Sequence, residues 1–144
     1  MEIDRELFLL IQTGEYRIIA ETDKLQLVHQ HEKGFLLNKV NKLAYALGWF
    51  YGDPTCGIID PQNQWATIAG TDLFVLWRND EVIPLSFNNA HQMKLDNPGK
   101  VLILTDPWTE DSAIWSFDVQ TRLFEKMKDF PEYREREYTE DIIW

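Results

Sequence analysis

Apolar and polar positions change period several times along the chain, and each change marks an element. Ile3, Leu7, Leu10 and Ile11 recur at helical spacing behind Asp4, a residue suited to an N-cap, yet Leu7 to Ile11 is also an unbroken apolar run. Gly14 and the Ile18-Ile19 pair favour the second of these readings, a hairpin turning at Thr13-Gly14-Glu15 into a strand from Tyr16 to Ala20. Lys24 to His29 alternates and predicts a short strand. Leu36, Val40, Leu43, Ala44 and Leu47 then return to helical spacing. Asn38, Lys39, Asn41 and Lys42 lie on the other side and Gly48 is placed to end the element, which predicts the one clear helix.

After Gly52-Asp53-Pro54 the pattern predicts strands alone. Gly57-Ile58-Ile59 is followed by the turn Asp60-Pro61-Gln62-Asn63, and Trp65 to Ala69 and Leu73 to Trp77 flank Gly70-Thr71-Asp72. A hairpin centred on Thr71 sets Trp65 opposite Trp77, Thr67 opposite Val75 and Ala69 opposite Leu73. Both of its faces are apolar, which places it centrally in a sheet or beneath a helix. Pro84 assigns Val82 to Phe87 to an edge. A polar loop ending Asn97-Pro98-Gly99-Lys100 leads to a strand from Val101 to Thr105. A last hairpin pairs Ala113–Val119 with Leu123–Met127 and sets Trp115 and Phe117 on one face. The expected fold is α+β: one domain over 1–144, mainly an antiparallel β-meander of about six or seven strands with one clear helix. The strand–Trp–turn rhythm is that of a propeller blade. At about 40 residues per blade, however, a four-bladed ring needs roughly 160 residues, more than the 144 present.

Composition narrows the function classes. With 44% hydrophobic residues and 13% aromatics, the chain has material for a core despite a net charge of −10. It contains no apolar run of the roughly 20 residues that span a bilayer. Its start, Met1-Glu2-Ile3-Asp4-Arg5-Glu6, lacks the basic segment of a secretory signal, so a cytoplasmic location is expected. A single cysteine excludes an internal disulfide. The charge is uneven: residues 1–50 carry seven acids and six bases, 51–100 six and three, and 101–144 eleven and five, a net −6 in the last segment. That field repels nucleic acid and anionic membranes and attracts cationic partners, although acidity also serves plain solubility.

Candidate chemistry is sparse. Cys56 is the one available thiol nucleophile, with no helix N-terminus or basic neighbour to activate it. His29 and His31 face one way on a strand and begin a metal site only with a third ligand such as His91, Glu32 or Asp53; no recognisable spacing supplies one, and no metal or cofactor is expected. Asp53, Asp106 and Asp111, near Trp108 and Trp115, suit a carboxylate hydrolase, but Asp53 and Asp106 each precede a proline and suit turns equally well. The aromatics among acids are more suggestive. Asp106, Trp108, Glu110 and Asp111 share one turn; Glu132, Glu135, Glu137, Tyr138, Glu140 and Asp141 share the tail. Acids mixed with aromatics suit a surface that binds cationic groups and their apolar stems together. For Trp144, the apolar cluster Ile142-Ile143-Trp144 predicts docking onto the sheet instead.

Tyr51-Gly52-Asp53-Pro54-Thr55-Cys56-Gly57-Ile58-Ile59, then Trp65, Gly70 and Leu76-Trp77, then Thr105-Asp106-Pro107-Trp108 and Ala113-Ile114-Trp115, resemble small bacterial immunity proteins of polymorphic and contact-dependent toxin systems. The resemblance covers about residues 49–118 and carries no catalytic signature. It implies a cytoplasmic, non-enzymatic antitoxin that blocks a cognate toxin by direct occlusion, with no binding residues transferred. The alternative from another class is a small hydrolase using carboxylates or Cys56.

Overall fold

A strand that is apolar at every position needs a partner on each face, and the computed structural model, which describes residues 3–144, meets that need by stacking three sheets. Met1 and Glu2, at the head of the segment read for a secretory signal, lie outside the described residues. The first sheet begins with the two-residue strand β1 (Ile3–Asp4) and the helix α1 (Arg5–Thr13). It continues with β2 (Arg17–Glu21), β3 (Leu25–Gln30), β4 (Lys33–Asn38) and β5 (Leu43–Trp49), with β1 added beside β5. The central sheet comprises β6 (Cys56–Ile59), β7 (Trp65–Ala69), β8 (Leu73–Arg78) and β9 (Glu81–Ser86). The third comprises β10 (Ala90–Leu95), β11 (Lys100–Thr105), β12 (Ala113–Asp118) and β13 (Leu123–Asp129). Every neighbouring pair is antiparallel and, β1 apart, each sheet is a meander in chain order.

Alternation along the strands sorts side chains between the layers. Leu25, Leu27, Leu36, Tyr45 and Leu47 of the first sheet meet Ile59, Ala66, Ile68, Val75 and Trp77 of the central one. The other face of the central sheet, Cys56, Trp65, Ala69, Phe74 and Leu76, meets Val101, Ile103 and Phe117 of the third. The outermost faces are also covered. Phe8 and Ile11 of α1 lie on Val28, Phe35, Leu37 and Ala44, while Phe130, Tyr133, Ile142 and Trp144 of the tail lie on Leu102, Leu104 and Ile114.

This arrangement overturns the expected α+β fold with a single meander. Among the described residues the protein is mostly antiparallel sheet, in three four-stranded meanders, the first extended by the two-residue β1, with one short helix. The helix expected around residues 36–47 is the β4–β5 hairpin, and its polar side is the turn. Asn38 Oδ1 accepts from the N–H groups of Val40 and Asn41 at 3.0 and 3.2 Å, Asn41 Oδ1 accepts from Leu43 N–H, and Lys42 is left-handed at φ 60°. Because both faces of β4 and β5 are buried, the period-2 signal is erased and the remaining leucines mimic a helix. Conversely, the hairpin favoured for residues 7–20 is α1 followed by β2. The Asp4 carboxylate accepts from Glu6 N–H at 2.7 Å as the N-cap. The hairpin is centred between Thr71 and Asp72, not on Thr71, so Ala69 pairs with Phe74, Trp65 with Arg78 and Ala66 with Trp77. Trp65 and Trp77 therefore occupy opposite faces of the central sheet. The segment read as a loop before Asn97 contains β10. Pro84 does lie on an edge strand, β9. The chain repeats a four-stranded antiparallel meander three times.

Gly34 sets the spacing between the first and central sheets. A Cβ there would lie 2.8 Å from Phe50 Cε2 and 3.0 Å from Ile68 Cδ1, both on fully buried side chains. Gly34→Ala is therefore expected to lower stability by about 1–3 kcal/mol, the usual cost of overpacking, read as a lower urea midpoint at unchanged slope.

Candidate functional site

The acidic turn and the acidic tail are distant in sequence but meet in space. The turn follows β11: Asp106 Oδ1 accepts from Trp108 N–H at 3.2 Å, so this carboxylate shapes its own loop. The Asp106 N–H in turn donates to the Asn89 carbonyl at 2.9 Å, tying the loop to the β9–β10 connection. The Trp108 ring is half-buried between two others. His91 of β10 stands edge-on to it at 5.2 Å, and Tyr138 of the tail lies over it at 5.0 Å. The Trp108 indole N–H is buried without an acceptor among the described residues.

Several contacts fix the tail so that Tyr138 reaches Trp108. The buried Ser112 hydroxyl donates to the Phe130 carbonyl at 2.7 Å. Arg134 donates from Nε to Ser112 Oγ at 2.7 Å and from Nη2 to the Ser112 carbonyl at 2.9 Å. Tyr133 stacks on Phe130, and its hydroxyl accepts from Ile143 N–H. Trp144 docks as its apolar neighbours predict: its indole N–H donates to Gln92 Oε1 at 2.6 Å, and Lys94 Nζ sits 4.3 Å from its ring centre. Arg134 is thereby committed to Ser112. Glu110 and Asp111 of the turn, and Glu132, Glu135, Glu137, Glu140 and Asp141 of the tail, are exposed, as is Tyr138, while Asp106 is half-buried. None of these carboxylates takes part in an ion pair among the described residues.

Other candidates go elsewhere. Burial pushes the Cys56 thiol up to about 12, only partly offset by the Thr55 hydroxyl, so it stays protonated at neutral pH. His29 is buried and its Nδ1 lies 2.9 Å from the His31 carbonyl. His29, His31 and Asp53 line one cavity, but no three metal-ligating side chains converge among the described residues. Asp53 is thus apart from Asp106 and Asp111, which line a different cavity, of about 360 Å³. A further cavity, about 860 Å³, lies among the turns at the opposite ends of the central and third sheets.

No protein-family model matches the chain, and no curated protein is detectably similar to it. No helix among the described residues is long and apolar enough to cross a membrane.

Sequence reasoning missed His91 as a partner of Trp108, because the two are brought together by the β10–β11 pairing and the Asp106–Asn89 hydrogen bond, contacts between separate segments. It also missed an exposed aromatic stack, Trp49 on Tyr51 at 5.6 Å, with the Trp49 indole donating to Glu32. Burial holds His91 below its ordinary value near 6.5, against the opposing pull of Asp106. The folded protein therefore binds fewer protons there than the unfolded chain. His91 contributes stability above pH 6.5 that is lost as the pH falls through its depressed value. His91→Gln should reduce the decline in urea midpoint between pH 7 and 5, a comparison that denaturation at the two pH values measures directly.

Proposed function

We propose that the chain is a non-enzymatic binding protein, a cytoplasmic immunity protein that neutralises a basic bacterial toxin domain by direct occlusion. One observation carries the reading: the Trp108–Tyr138 ring contact joins two acidic segments, residues 106–111 and 132–141, into one face. A toxin that holds nucleic acid must present cations where phosphate binds, and an acidic surface takes that place. The aromatic pair at its centre supplies the desolvated anchor that carries most of the affinity in such interfaces. The competing hydrolase reading loses its nucleophile, because the Cys56 thiol is buried and protonated. Its three carboxylates are also divided between two cavities.

The test is capture of the protein encoded by the gene immediately upstream, with this chain as bait, in buffers of about 0.05 and 0.5 M salt, spanning strong and weak screening. Retention at low salt with substantial loss at high salt is expected. Capture unaffected by salt would remove the electrostatic account, and failure to capture at low salt would remove the assignment.

A further inference from the structure

Beside the acidic face is a cavity of about 360 Å³ whose walls differ in character. One wall is aromatic: Phe87 and Phe124 stack in parallel at 4.7 Å, and Trp115 stands edge-on to Phe87 at 5.6 Å. The acidic turn also contributes to the lining, with Asp106 and Asp111 facing the same space. Asp106 is already engaged with Trp108 N–H, whereas the Asp111 side chain is exposed and has no hydrogen-bond or ion-pair partner among the described residues. The floor is rigid. Asn89 is left-handed at φ 62°, its N–H donates to the Thr71 carbonyl at 2.6 Å, and Thr105 Oγ1 donates to the Asp111 carbonyl at 3.2 Å.

A neutral apolar ligand would leave these carboxylates desolvated without compensation, and a small hydrated cation would gain nothing from the aromatic wall. A flat cation on an apolar stem satisfies both. Its methylenes lie along Phe124 and Trp115, its delocalised charge faces the rings, and its N–H groups reach the carboxylate in a forked arrangement. We propose that this cavity is the socket for one arginine side chain of a cationic partner. The inference rests on the binding-protein reading above and deepens it, since the socket opens along the same turn that carries Trp108.

The probe is n-butylguanidinium, which reproduces an arginine stem and head, titrated into the full chain while the Trp115 indole and Asn89 amide resonances are followed by NMR. Saturable shifts confined to the cavity, in the millimolar range, are expected. Asp111→Asn, an exposed position whose loss does not threaten folding, should weaken binding about fivefold, or about 1 kcal/mol. Phe124→Leu should weaken it by a similar factor. Neutral n-butylurea binding as well as n-butylguanidinium would overturn the role of charge, and n-butylammonium binding equally tightly would overturn arginine as the occupant. Absence of saturable shifts, or shifts elsewhere, would overturn the socket itself. Salt-dependent capture of a partner alongside a negative probe titration removes the socket alone. A positive titration without any capture removes the binding-protein reading alone.

Discussion

Phe74→Ala is expected to lower the unfolding free energy by about 3–5 kcal/mol, the range for a large buried aromatic cut to a methyl group. Phe74 is fully buried on β8 and faces the third sheet. It packs against three other rings, Phe117 at 4.7 Å, Phe124 at 5.1 Å and Phe87 at 6.2 Å. Removing it opens a void in the sheet that packs against both others, so the gap lies between layers that are each held elsewhere. The loss is a large part of the 5–15 kcal/mol typical of a folded domain. Urea denaturation followed by tryptophan fluorescence and by far-ultraviolet circular dichroism checks it. Trp77 reports on the first interface and Trp65 on the second. Coincident transitions at a much lower midpoint are expected, because the central sheet couples the layers. A change below about 1 kcal/mol would contradict the central burial of β8.

The double variant Asp111→Lys/Glu135→Lys is expected to slow association with the cationic partner about tenfold or more and to leave folding intact. Both positions are exposed and neither side chain takes part in an ion pair among the described residues. The first lies on the turn and the second on the tail, so their reversal changes each half of the acidic face by two charge units, four in all. Long-range attraction of this kind acts on the rate of encounter more than on the lifetime of the complex. Stopped-flow or surface-binding kinetics separates the two. A variant with an unchanged association rate would place the binding surface elsewhere.

β3, which alternates, and β11 and β12, which are short apolar runs bounded by turns, are legible in sequence, as are the turn after Ile59 and the edge proline Pro84. What escapes is the number of layers. Once both faces of a strand are buried, as in β4, β5 and β7, alternation vanishes and composition cannot distinguish a doubly covered sheet from a buried helix. The β7–β8 hairpin shows the consequence. Its strands and its two apolar faces are read correctly, but a one-residue difference at the turn moves Trp65 and Trp77 to opposite cores. The candidate face is legible in part. Its acids and aromatics stand out in the sequence, and Asp106 behaves as the turn residue its proline neighbour suggests. Their assembly does not, because it depends on Arg134 reaching Ser112 and on His91 standing behind Trp108, contacts between segments far apart in the chain.

Whether the face joined by Trp108 and Tyr138 attracts a cationic partner is read most directly from the association rate constant of the wild-type chain with the upstream gene product, measured as ionic strength is raised. A steep fall in rate with salt is expected, with dissociation changing little. An association rate independent of ionic strength would contradict that attraction.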